Sequence, residues 1–100
     1  MLISRKRSKI DIIKDALETT RRTTTKTSLI LGLHLGWRNG EKIVKLLVEK
    51  NLIQEVSVPF NYKTTRYIIT QKGVIFLENY KKIRKTLDYV VMEDEHQVKA

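Results

Sequence analysis

Between Thr24 and Asn51 the chain reads TTKTSLILGLHLGWRNGEKIVKLLVEKN, and few folds accommodate that stretch. Leu29, Ile30 and Leu33 fall on one side of a first short helix. Trp37, Gly40, Ile43, Val44 and Leu47 recur at helical spacing in a second, as its core residues. His34-Leu35-Gly36 leaves room only for a turn. Two helices joined by a three- or four-residue turn containing glycine make a helix-turn-helix. Arg38, Asn39, Lys42 and Lys45 lie on the side of the second helix away from its core residues. A recognition helix in a DNA major groove needs such a basic outer face.

One hundred residues make one domain with a real but modest core, which dimerisation would enlarge. No apolar run approaches the roughly 20 residues of a membrane span. The basic N-terminus is followed by no apolar signal core, so no secretory signal is read. There is no cysteine, which excludes disulfides, iron–sulfur clusters and thiolate zinc sites and fits an intracellular protein. The formal net charge is +9. The last eight residues carry Glu93, Asp94 and Glu95 against Lys99, a net of −2, leaving +11 for residues 1–92. So basic a body attracts polyanions, because each phosphate contact releases condensed counterions. An acidic membrane surface or an acidic protein would also be attracted.

Residues 1–7, with Arg5, Lys6 and Arg7, read as a flexible basic arm, either reaching DNA or simply solvated. Ser8 to Thr19 is the first helix. Ser8 and Asp11 form a variant capping box, and Ile10, Ile13, Ala16 and Leu17 form the buried stripe. The threonines from Thr19 to Thr27 make a loop, with room for a short strand, ending in an N-cap at Thr24 or Thr25. The next helices are Thr25–Leu33 and Trp37–Lys50. Gly36 is the expected cap of the second, a weak one without a side-chain acceptor. Gly40 costs roughly 1 kcal/mol against alanine and implies close approach of a helix or of DNA backbone. Glu41–Lys45 and Lys45–Glu49 are spaced as helix-surface pairs. Asn51 is a left-handed cap candidate.

Leu52–Phe60 and Thr64–Thr70 read as two strands joined at Asn61-Tyr62-Lys63. A hairpin directly after a helix-turn-helix is a wing, charged here by Lys63 and Arg66. Gln71 to about Met92 is a long last helix, capped by Thr70. Its Phe76, Tyr80, Ile83, Leu87 and Val90 are spaced 4, 3, 4, 3, the seam of a coiled coil. A winged domain needs only the first turns of that helix. The surplus seam is therefore expected to pair, antiparallel, with a second copy. Residues 93–100 are expected to be a disordered acidic tail.

The segment from Ser8 to about Lys85 resembles the small, about ten-kilodalton archaeal winged-helix DNA-binding and chromatin proteins of the Sulfolobus type. Related winged-helix regulators of archaeal viruses and plasmids look similar. The resemblance rests on RSKIDIIKDALE, on KTSLILGLHLGWRNGEKIVKLLVEKNLIQ and on YIITQKGVIFLENYKKI. It departs from the family at His34, Gly36 and Trp37, where asparagine, serine and tyrosine are usual, and in a longer wing. It implies an α+β, mostly helical winged helix-turn-helix over residues 8–75, dimerising through residues 71–92 and binding double-stranded DNA. Lys26, Thr27, Arg38, Lys42 and the wing would then lie near DNA.

No Walker loop, dinucleotide glycine fingerprint or HExxH motif is present. His34 and His96 lie in a turn and in the tail, so neither an enzyme nor a metal or other cofactor is expected. The expected DNA contacts are Arg5, Lys6, Arg7, Lys26, Thr27, Arg38, Asn39, Lys42, Lys45, Lys63 and Arg66. The expected partners are double-stranded DNA and a second copy, with no membrane and no small-molecule ligand, in a cytoplasmic, nucleoid-associated setting. Transcription regulation and an architectural chromatin role both fit. The alternative is a docking module that uses the winged helix and the last helix to hold another protein chain.

Overall fold

The structure is a computed structural model that describes residues 7–57 and 65–99, with side chains as far as Leu87. The elements are α1 (Lys9–Thr19), β1 (Thr24–Thr25), α2 (Lys26–Leu33), α3 (Trp37–Glu49), β2 (Ile53–Val56), β3 (Arg66–Ile69) and α4 (Gln71–Lys99). The strands form one antiparallel sheet in the order β1-β3-β2. This is the α+β, mostly helical winged helix-turn-helix expected from the sequence, with its long C-terminal helix.

Local chemistry sets the helix ends. Ser8 Oγ accepts from the Asp11 N–H at 3.2 Å, and Thr25 Oγ1 accepts from the Ser28 N–H at 3.1 Å. Each satisfies one of the donors a helix leaves unpaired at its start. Thr70 Oγ1 accepts from the Gly73 N–H at 3.0 Å and donates to the Asn51 carbonyl at 2.6 Å, so one hydroxyl caps α4 and ties it to the end of α3. The turn between α2 and α3 puts His34 in the left-handed region (φ 56°) and Gly36 at φ 82°. Gly36 gives α3 no side-chain cap, as its chemistry requires. Asn51 is left-handed as well, at φ 61°.

The core joins Leu17 of α1, Leu29, Ile30 and Leu33 of α2, Ile43, Val44 and Leu47 of α3, Ile53 and Tyr67 of the sheet and Leu77 of α4. Gly40 is where α2 and α3 meet. A Cβ there would stand 2.5 Å from Ile30 Cγ2, so the glycine serves helix contact rather than DNA approach. The buried Thr20 donates its hydroxyl to the carbonyls of Ala16 and Leu17, and its own carbonyl accepts from the Ile69 N–H at 2.8 Å. That bond fastens the end of α1 to the sheet.

Several expectations need correction. Trp37 is not core but 47% exposed, and in α1 the side chains on the core are Ile12, Ile13, Ala16 and Leu17, with Ile10 45% exposed. The buried stripe of α3 is Gly40, Ile43, Val44 and Leu47; Trp37 lies at its edge and at the helix's first residue, where no further turn covers it. Arg7 is not part of a free arm. It pairs with Asp15 at 2.7 Å and donates to the Leu33 carbonyl, which docks it against α1 and the end of α2. The seam of α4 is divided. Tyr80 is buried in its own domain and donates to Asp11, and Phe76 packs on the same core, while Ile83 and Leu87 are 54% and 50% exposed. The upper turns of α4 lie against α1 and spend the seam there. Nor does the backbone stop at Met92: α4 continues to Lys99, since no glycine or proline follows Gly73 to break it. Both strands are shorter than read from the sequence, four residues each. Arg5, Lys6, the wing tip with Lys63, and the side chain of Val90 lie outside the described residues.

Candidate nucleic-acid interface

Of the expected contact residues, Arg38, Asn39, Lys42 and Lys45 stand on α3, and Lys26 lines the cleft beside it. Arg38, Asn39, Lys42 and Lys45 are all exposed, at positions 1, 2, 5 and 8 residues into α3 from Trp37. At 100° per residue, Arg38, Lys42 and Lys45 form one cationic row opposite the Gly40–Ile43–Val44–Leu47 stripe. Asn39 stands off this row and donates its amide to the Leu35 carbonyl at 3.3 Å. It therefore braces the turn.

Between α3 and the sheet runs an open cleft of about 760 Å³. Lys26, Arg38, Lys42 and Lys45 line it together with Glu41, Glu49 and Glu55, and Val44, Val48 and Tyr67 make its apolar part. Tyr67 is buried, and that burial raises its phenol pKa above the ordinary value, with the Glu55 carboxylate acting in the same direction. A cross-strand pairing brings these two residues together: Glu55 is the register partner of Tyr67. The three acids offset much of the positive charge inside the cleft. The net positive ridge is the Arg38–Lys42–Lys45 row at its rim.

Lys26, the first residue of α2, reaches across to α3 and pairs with Glu41 at 3.1 Å. The hydrogen bond that Lys26 donates to the Glu41 carboxylate holds the ammonium pKa above its ordinary value. The expected Glu41–Lys45 and Lys45–Glu49 pairs do not form among the described residues. Glu41 finds its partner on a neighbouring helix instead of on its own. Thr27 is exposed in the first turn of α2. Arg66 is half-buried on β3, paired in register with Thr25 and Val56, and donates to the Thr23 carbonyl at 3.4 Å. It therefore holds the base of the wing to the threonine loop.

Sequence reasoning missed three members of this surface. Lys9, at the start of α1, lines a shallow second hollow with Lys42, Lys45, Ile43, Leu46 and Glu49, which adds a cation beside the α3 row. Glu55 enters through strand register, which no local pattern reveals. Trp37 has helical spacing to Gly40 and Val44, which predicts a core position, yet it stands exposed on the first residue of α3. Among the described residues no group of three or more His, Cys, Asp or Glu could hold a metal ion, and no helix is long and apolar enough to cross a membrane.

Comparison with known proteins finds the same fold. A crystal structure of Sso10a-2, a DNA-binding protein from Sulfolobus solfataricus, superposes with a TM-score of 0.69 at 23% identity, covering 92% of this chain and 96% of that one. A point mutant of MepR from S. aureus superposes with a TM-score of 0.70 at 16% identity, covering 90% and 72%. Another MepR point mutant, bound to an oligodeoxyribonucleotide, gives a TM-score of 0.68 at 14% identity, covering 91% and 70%. At these identities the likeness is one of fold. No curated protein sequence matches. A family model described as winged helix-turn-helix matches residues 6–88, and the chain belongs to that family.

Proposed function

We propose that this chain is a non-enzymatic protein that binds double-stranded DNA as a homodimer, either as a transcription regulator or as an architectural chromatin protein. The observation that carries the reading is the exposed row Arg38–Lys42–Lys45 on α3, opposite that helix's buried stripe. Helices of this kind enter the major groove with their first residues on base edges. Lys26 and Thr27 at the start of α2 would meet phosphate, as would Arg5, Lys6 and Lys63. The likeness of fold to a DNA-binding protein of Sulfolobus and to a MepR mutant bound to an oligodeoxyribonucleotide supports the same reading. Dimerisation is supported by Ile83 and Leu87, two apolar side chains half-exposed on one face of α4.

Binding of a labelled duplex, measured by anisotropy across a salt series, tests the mechanism. Affinity should fall steeply with salt, and each of Arg38→Ala, Lys42→Ala and Lys45→Ala should lower the slope by about 0.9 if that residue meets a phosphate. Affinity that is flat between low and moderate salt would refute it. Competition against random duplex then separates the two roles: a specificity ratio near one favours the architectural protein. The exposed Ile83 and Leu87 equally allow a docking module for another chain. Sedimentation of the purified protein decides that point, because a stable homodimer leaves no free seam.

A further inference from the structure

The side chain that the DNA-binding reading does not yet use is Trp37. It is 47% exposed on the first residue of α3, immediately before Arg38. It stands four residues, one helical turn, from Glu41, so the two share a flank of α3. That flank faces the start of α2, since Glu41 pairs there with Lys26. A large apolar side chain thus sits uncovered beside the exposed Arg38, with the Lys26–Glu41 pair on the same flank.

We propose that Trp37 is a DNA-contacting residue whose indole packs on deoxyribose and on a thymine methyl group where α3 enters the major groove. The proposal rests on the DNA-binding reading and adds to it a preference for thymine at one position. The first residues of a recognition helix are those that meet base edges. And the surroundings select the partner: a surface that covers Trp37 meets an apolar indole and, at the next residue, the exposed guanidinium of Arg38. The groove edge of DNA matches both, with the thymine methyl and sugar beside phosphates. An ordinary apolar protein face would instead leave the Arg38 charge without an anionic partner.

Trp37 is the sole tryptophan of the chain, so its emission reports on this position alone. The experiment follows duplex binding by anisotropy of a labelled strand and by Trp37 emission in parallel. Binding should shift or quench the emission and at least halve its quenching by acrylamide. Trp37→Ala should weaken binding roughly tenfold with an unchanged salt slope, because an apolar contact releases no counterions. Uracil in place of thymine removes only the methyl group; it should weaken the unaltered protein and leave Trp37→Ala indifferent. A duplex that binds without changing emission or acrylamide access overturns the proposal. So does a loss in Trp37→Ala that comes with a lower salt slope, or equal affinity for uracil and thymine duplexes. If no duplex binds at all, the DNA-binding reading falls first and this one with it.

Discussion

Lys26 Nζ stands 3.1 Å from Glu41 Oε2, an ion pair that joins the first residue of α2 to the exposed flank of α3. Both side chains are more than a third exposed, so the pair contributes little to stability. Its importance is to binding. The carboxylate occupies a lysine that would otherwise be free for phosphate, and it repels phosphates approaching the same rim. Glu41→Gln should therefore tighten duplex binding several-fold and steepen its salt dependence by up to about 0.9. Unfolding in urea should shift by no more than about 0.5 kcal/mol. Weaker binding by this variant would mean that Glu41 reads a base.

Gly40 stands against Ile30, and the methyl group of alanine would have to share the space of Ile30 Cγ2. Alanine gains up to about 1 kcal/mol in helix propensity. Overpacking a close helix contact costs about 1–3 kcal/mol. Gly40→Ala should lower stability by about 1–2 kcal/mol on balance, measured by the urea midpoint at constant m-value. Gly32 has open space around the position a methyl would take, so Gly32→Ala should stabilise the protein and serves as the control.

Tyr80 of α4 donates to Asp11 of α1. That hydrogen bond, with help from Ser8, lowers the Asp11 carboxyl below its ordinary value, and the same bond raises the Tyr80 phenol above its own. A depressed carboxyl contributes stability above its unfolded pKa and loses it as pH falls through the folded one. A raised phenol contributes below its unfolded pKa and loses it as pH rises through the folded one. The tie is therefore intact at neutral pH and lost at both extremes. Tyr80→Phe should lower the urea midpoint at neutral pH and flatten its decline on acidification through the carboxylate range. An unchanged acid slope would place that decline on other carboxylates.

Ile83 and Leu87 are one helical turn apart and half-exposed on α4. If they form the dimer contact, Ile83→Lys with Leu87→Lys should convert the protein to a monomer in sedimentation while its circular dichroism keeps the helical signal. DNA affinity should then fall, because linked sites bind more tightly than single ones. Phe76→Ala, by contrast, should act on folding, since Phe76 packs on the core of its own domain.

What the sequence alone determined is local. The helix starts at Ser8, Thr25 and Thr70, the left-handed Asn51 and the weak cap at Gly36 are matters of hydrogen bonds and dihedrals within a few residues, and composition at those few positions decides them. Periodicity likewise revealed which faces of α1, α2 and α3 are apolar, and so which cations on α3 point outward. The tertiary structure decided which of those faces are covered. It left Trp37 exposed, spent Phe76 and Tyr80 on their own domain, turned Arg7 back onto Asp15 and Leu33, and gave Glu41 to Lys26 instead of Lys45. Each outcome depends on residues distant in the chain being brought side by side, through helix crossing at Gly40 or through strand register at Tyr67. Spacing along one helix shows that a side chain can reach a neighbour on the same surface. The choice among neighbours is made by what packs against that surface.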